Sequence, residues 1–492
     1  MPSGSATDQP DPERYKVVGR FLGPAIFLAA LLTSQAQGVM QPVAWLTAGV
    51  ALWMAVWWAT EAIPVAVTAL LPLVVFDPLG ISTIRDAAAA YANPIVYLFF
   101  GGFLMALAME RWNLHRRIAL FILDQTGTDG RRLIGGFMLV CALLSMWMTN
   151  TSTTMMLLPI ALSVLAVVTD NVKDVDERTR SDFRIAMLLG LAYSASIGGL
   201  ATLIGTPPNA YLIGYLAEHH QLEISFARWM AVGIPVSAIM LPITWIALTR
   251  FIYPVKIPAN DQVSAHLSEL RDKLGPMSPA EKRVAMIFGT VVFLWMAGRQ
   301  IADLLGVNGV SDAGIVMAAA VVFFLAPSGS SVQRSLLSWE DTQKLPWGVL
   351  ILFGGGLSLA AAVSSSGLAL WLGEGLAPLN AWGTALLVVA AVAMVIFLTE
   401  LTSNLATTAT LLPVMGAIAL QAGVHPLILT VPVTIAASCA FMLPVATPPN
   451  AIVFATGQIR IPQMIRAGLF LNIIGIIIVS IISLFLAPAV LQ

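Results

Sequence analysis

Two short polar segments interrupt an otherwise oily chain and hold the residues fit for chemistry. One is MTNTSTTMMLLP, residues 148–159; the other is TSNLATTATLLP, residues 402–413. Each centres on an asparagine, Asn150 or Asn404, whose amide can satisfy a loose backbone group while offering an oxygen or nitrogen inward. Hydroxyls surround them: Ser145, Thr149 and Thr151 at the first, Thr399 and Ser403 at the second. Ser145 lies one helical turn before Thr149, and Thr399 one turn before Ser403, so each pair shares a face wherever the local chain is helical. Two further segments, GTPPNA (205–210) and ATPPNA (446–451), set Pro207-Pro208 and Pro448-Pro449 in apolar surroundings. Proline removes a donor and interrupts the helix ladder. Freed carbonyls with hydroxyl and amide oxygens suit a small hard cation such as Na⁺, whereas freed N–H groups and helix N-termini suit an anion. Two cation sites, one around each asparagine, are the expectation. None of the four motifs contains Lys or Arg. A carboxylate entering there would meet dipoles, hydroxyls and co-bound cations, because bare charge in a low dielectric is prohibitive. Coupled passage of an anion and a cation follows.

The elements that must position these groups are membrane helices. Of 492 residues, 58% are hydrophobic and 10% charged, with mean hydropathy +0.85; a soluble domain carries about 25% charge. Apolar runs recur from residues 21–33 to 468–489, and with small extensions several reach the roughly 20 residues needed to cross about 30 Å of hydrocarbon. An all-α polytopic membrane protein with about 11 spans is expected, since the alternating pattern of a β-barrel is absent. The opening residues, MPSGSATDQPDPERYKVVGR, read as an exposed polar terminus rather than a signal peptide. Cys141 and Cys439, both in apolar surroundings, give no disulfide framework or thiolate metal site. A net charge of −1 gives no nucleic-acid signal.

The chain repeats itself. LFFGG at 98–102 matches LFGGG at 352–356, and Asn150 matches Asn404, both at an offset of 254. GTPPNA and ATPPNA match at 241, the difference being absorbed by the charged loop at 170–184. Each half therefore runs from a Gly-rich helix start, whose glycines suit close helix packing or a tight hairpin tip, through an Asn-centred break to a Thr-Pro-Pro-Asn break, and residues 1–92 and 284–326 lie outside the repeated cores. Repeated halves with interrupted helices point to a secondary transporter whose site lies at the repeat interface.

With these motifs in order, the chain resembles the divalent anion/sodium symporter family of di- and tricarboxylate carriers. The resemblance rests on WWATEAIP (57–64), TNTST (149–153), IGTPPNA (204–210), LTELTSNLAT (398–407) and LPVATPPNAIVF (443–454) and extends over residues 15–490. It implies a homodimer in the cell membrane, a bacterial inner membrane if the source is bacterial, with a scaffold, a transport domain bearing two re-entrant hairpins, and elevator-type alternating access. The corresponding division is a polar tail (1–20), scaffold helices (21–92), a first core (93–249), a charged connector (250–283), further scaffold (284–346) and a second core (347–492). It further implies one sodium site from Ser145, Thr149, Asn150 and the backbone near Gly199 or Gly205. Thr399, Ser403, Asn404 and the backbone at Ala446 would make the other. Substrate carboxylates would then touch Asn150, Thr151, Ser403, Asn404, Thr447 and Pro448. Two departures stand out: Thr149 occupies a position where serine is common, and Leu405 one where several members have threonine. The lost hydroxyl at 405 bears on substrate preference, since one missing hydrogen bond can discriminate strongly.

The resemblance thus implies sodium-coupled carriage of C4-dicarboxylates such as succinate, malate and fumarate, with no organic cofactor. An exchanger, or a citrate or sulfate carrier, would reuse the same scaffold. A channel would share paired re-entrant segments, and an intramembrane enzyme would need an acid–base pair or metal cluster that the polar breaks lack. Glu61, beside two tryptophans at a span end, reads as interfacial. Glu400 adjoins Thr399 but can face away and pair elsewhere. His115, His219, His220, His266 and His425 are scattered through connections and span ends and read as non-catalytic.

Overall fold

A computed structural model describes residues 14–171, 176–329, 334–375 and 383–491. Most of the polar tail, residues 1–13, and the middle of the charged loop, 172–175, lie outside the described residues. Within them regular structure is helical, apart from one isolated bridge between Pro327 and Ser335.

Helices α1 (Arg14–Thr33) and α2 (Pro42–Thr60) form an antiparallel pair, with Phe27 stacked on Trp53 at 5.2 Å. Glu61 ends α2 in a left-handed conformation (φ 45°) and is exposed. Short helices α3 (Val65–Thr68), α4 (Leu71–Val75) and α5 (Ile84–Ala89) lead to α6 (Pro94–Arg111), which starts on an Asn93 cap with proline at its first position. The amphipathic α7 (Leu114–Thr126) follows.

A hairpin of α8 (Gly130–Ser145) and α9 (Asn150–Asn171) precedes an interrupted pair, α10 (Glu177–Gly199) and α11 (Pro207–His220). Then come α12 (Phe226–Ile246) with a π-turn to Ile252, the surface helix α13 (Asp261–Asp272), α14 (Pro279–Leu305), opened by a Ser278/Glu281 capping box, and α15 (Asp312–Leu325). Next are α16 (Trp347–Ser365) and α17 (Leu368–Gly375). The hairpin then recurs as α18 (Thr384–Thr399) and α19 (Asn404–Gln421), the interrupted pair as α20 (Leu427–Ala437) and α21 (Pro448–Phe454), and α22 (Ile461–Leu491) closes the chain.

Among the described residues nine helical stretches are long and apolar enough to cross a membrane. Shorter apolar helices include α18 and α20. At 1.5 Å per residue, the 16-residue α18 extends about 24 Å and the 11-residue α20 about 16 Å, less than the hydrocarbon core. Hydropathy sees such arms as spans; length separates them.

The two halves interlock. The interrupted helix of each packs on the hairpin of the other: α11 against α19, and α21 against α9. In addition α11 touches α20, α21 touches α10, and α12 and α22 pack together along the outside. This exchange brings both breaks into one interior.

The glycine runs correct one expectation. Gly101 and Gly102 lie inside α6, and Gly354 to Gly356 inside α16, not at helix starts. They permit close packing: a Cβ on Gly355 would stand 2.1 Å from the Ala69 carbonyl oxygen, and one on Gly101 2.6 Å from Val316.

Polar connections gather at one end of the bundle. Gly130 N donates to Ile257 O (3.1 Å), Arg131 Nε to Val255 O (2.9 Å) and the Tyr253 hydroxyl to Gln463 O (2.6 Å). Arg117 pairs with Glu281 at 2.9 Å, and Arg111 with Asp341. Cys141 and Cys439 are buried and unbridged.

Candidate transport site

Asn150 is the first residue of α9, and Thr149, just before it, caps that helix: its hydroxyl accepts from Ser152 N at 3.2 Å and donates to Ser152 Oγ at 3.0 Å. The Asn150 side chain turns instead toward the first break. Its inner amide terminus lies 2.6 Å from Ser145 Oγ, 3.1 Å from Ala195 O and 3.2 Å from Gly205 O. Read as nitrogen, that terminus donates to the two carbonyls; read as oxygen, it completes a cluster of four oxygens. Gly199 faces the same spot, where a Cβ would stand 2.6 Å from the amide and 3.0 Å from Gly205 O. Gly199 and Gly205 are thus both at the site. Four of the expected groups, Ser145, Asn150, Gly199 and Gly205, meet here, while the Thr149 hydroxyl is engaged in capping. Thr151 is half-buried on the first turn of α9.

The second half repeats the plan. Asn404 begins α19 after Ser403, whose side chain makes no cap bond. Thr399, fully buried, shares its one hydroxyl proton between Asn404 Oδ1 (3.0 Å) and Ala437 O (2.8 Å). Thr154 and Thr408, also 254 apart, donate to Asn150 O and Asn404 O at 2.8 Å each. Around the second break, Ala446 N donates to Leu443 O at 3.3 Å, Thr447 is buried with its hydroxyl accepting from Asn450 N at 3.4 Å, and Pro448 is exposed. Leu405 is buried on the first turn of α19. One contact links the breaks directly, Thr206 Oγ1 to Ser438 Oγ at 3.4 Å.

The first four N–H groups of a helix lack intrahelical partners. At α19 the first backbone bond is Thr407 N to Ser403 O, and no hydroxyl serves the N–H groups before it. An uncapped N-terminus of this kind favours an anion. Among the described residues, the ion pairs lie in the connections and none includes a residue of either break. Likewise no group of three His, Cys, Asp or Glu gathers into a metal-binding set.

Glu400 faces away from the hydroxyl cluster. Its carboxylate accepts from Phe441 N (2.8 Å), Met442 N (2.9 Å) and Leu443 N (3.0 Å), and from Asn472 Nδ2 (2.8 Å). Four donors compensate a charge that burial would otherwise penalise. Sequence reasoning also passed over Asn209 and Asn450, which close the GTPPN and ATPPN motifs. Their repetition at an offset of 241 was the available signal.

The profile of the family described as the sodium:sulfate symporter transmembrane region matches residues 14–490. The chain belongs to that family. Relatives include the sodium-dependent dicarboxylate transporter SdcS of Staphylococcus saprophyticus, 40% identical over 483 residues, covering 97% of this chain and 92% of the relative. SdcS of Staphylococcus aureus strain USA300 is 41% identical over 482 residues with the same coverage. As a member of the sodium:sulfate symporter family, with nine such helices among the described residues, the chain is a multi-pass membrane transporter and not an enzyme.

Proposed function

We propose that this protein carries C4-dicarboxylates, with succinate, malate and fumarate as candidates, coupled to sodium by elevator-type alternating access. The observation that carries this reading is the convergence of Ser145 Oγ, Ala195 O and Gly205 O on the Asn150 amide. Rotating that amide exchanges a donor closing the site for a fourth oxygen facing a cation, and broken-helix carbonyls are the recurring sodium ligands of transporters. Thr399, Asn404 and the carbonyls near Ala437 and Ala446 supply the second site, with Ser403 at the tip. Substrate carboxylates lie between the N-termini of α9 and α19, contacted by Asn150, Thr151, Ser403, Asn404, Thr447 and Pro448. Dipoles and the bound sodium ions oppose their charge. The names of the relatives, sodium-dependent dicarboxylate transporters, support the cargo and its coupling.

The moving unit comprises the hairpins and interrupted helices within residues 93–249 and 347–492. Residues 21–92 and 284–346 form the scaffold of a homodimer, with 250–283 as the connector. Arg111, Arg117, Arg131, Lys256, Arg283 and Arg466 sit at the end where α8, α14 and α22 begin, so the positive-inside rule assigns that end to the cytoplasm.

Radiolabelled succinate uptake into proteoliposomes tests the proposal, with Na⁺ replaced by Li⁺, K⁺ or choline and with sulfate and citrate as competitors. Uptake requires Na⁺ and falls at least about tenfold in Asn150→Ala and in Asn404→Ala. Undiminished uptake in both variants would remove the site assignment; counterflow with no sodium requirement would make the protein an exchanger.

A further inference from the structure

The two asparagines that close the Thr-Pro-Pro-Asn motifs hold the breaks together by the same bonds in both halves. The two N–H groups of Asn209 Nδ2 are shared among Thr202 O (2.8 Å), Leu200 O (3.2 Å) and Gly199 O (3.3 Å). Asn450 Nδ2 donates to Leu443 O (3.0 Å) and Ala440 O (3.3 Å). One offset, 241, relates the asparagines and both shared acceptors: Gly199 with Ala440, and Thr202 with Leu443. Both side chains are fully buried, and in both the Oδ1 atom has no partner. A buried acceptor left unpaired is costly, yet the same arrangement occurs twice. The donors, not the oxygen, are what the fold requires there.

We propose that Asn209 and Asn450 are positioning residues that set the sodium affinity of the first and second site, each through the backbone carbonyls it holds. This inference rests on the sodium-coupled reading above. A carbonyl oxygen has two lone pairs; one occupied by the asparagine leaves the other for an ion, with its direction fixed. Gly199 is both an acceptor of Asn209 and the residue packed against Asn150 and Gly205. The second loop is held at Ala440 and Leu443, between Ala437, bonded to Thr399, and Ala446. Without the staple, each loop must order its carbonyls at the moment of ion binding, which weakens the ion and leaves a loaded carrier able to move.

The test uses Asn209→Leu and Asn450→Leu, which keep shape and lose the donors, and Asn209→Ser and Asn450→Ser, which keep one. In proteoliposomes the Leu variants raise the sodium concentration for half-maximal succinate uptake by about five- to tenfold, with uptake at saturating sodium within about twofold of wild type. The Ser variants fall between. Lowered maximal uptake with an unshifted sodium dependence would mean a merely structural role and overturn the inference. Where a Leu variant fails to fold, sodium-dependent thermal stabilisation of the purified Ser variant decides: a midpoint displaced to higher sodium supports the inference, and an undisplaced one overturns it. Wild-type protein stabilised by sodium but inactive toward dicarboxylates would sink the proposed cargo, while the Ser displacement would still be readable.

Discussion

The two breaks share one plan and are sealed by different chemistry. At the first, residues 200–206 are all buried and neutral groups close the loop: Thr202 Oγ1 donates to Met146 O and accepts from Gly205 N, Trp229 Nε1 donates to Leu200 O, and Ser237 Oγ donates to Ile197 O. At the second, Val445 is 78% and Leu401 67% exposed, and the loop's N–H groups turn to the carboxylate of Glu400. The residue equivalent to Glu400 in the first half is Met146. An interrupted helix must give its loose N–H groups an acceptor. One half finds it in a hydroxyl and its own carbonyls, the other in a charge. A charge there would also favour a cation beside it, which would give the proposed second site electrostatic help that the proposed first site lacks.

The largest effect that would break this comparison comes from Glu400. Glu400→Leu strands three backbone donors and is expected to lower stability by on the order of 3–6 kcal/mol, against about 1–2 kcal/mol for Glu400→Gln, which retains an acceptor. Unfolding midpoints in detergent report the difference, and a Leu variant as stable as wild type would mean the carboxylate does not seal the loop. Gly199→Ala comes next. Its new Cβ must displace Asn150 or Gly205, whereas Ala440 already carries a Cβ at the equivalent place. Sodium-dependent uptake is expected to fall about tenfold in Gly199→Ala, while Ala440→Gly stays within about threefold. Equal losses would show that the halves meet their ions alike. The smallest effect concerns the bridge between breaks: the Thr206→Val and Ser438→Ala double-mutant cycle should give a coupling of about 0.5 kcal/mol, as befits a long neutral hydrogen bond. A coupling of zero would leave the two loops mechanically independent.

Much of this was legible in the sequence because a break must be built from recognisable residues. Asn150, Asn404 and the paired prolines announced the interruptions, and their constant offsets announced the two halves. Other roles were hidden where one residue type serves two physical purposes. Glycine suits a helix start and a tight helix crossing, and of the two readings of the runs at 101–102 and 354–356 only the close packing holds. A hydroxyl can bind an ion or cap a helix, and residue type alone does not separate the two at Thr149. A charge in an oily segment suggests function or an interface, yet Glu400 acts as an acceptor for backbone that sequence cannot show to be loose. The short apolar arms of the second half share the hydropathy of a crossing helix but not its length, a difference that hydropathy alone does not resolve.

The two buried thiols make the chain convenient to probe. Cys141 bonds to the Leu191 carbonyl and Cys439 to that of Ile435, each with no exposed surface. A maleimide added from water should therefore ignore the native protein, and no cysteine-stripped background is needed. A single cysteine introduced at Val445 would become the reactive one, so its labelling from either face of the membrane, with and without sodium, would time the opening of the carrier directly.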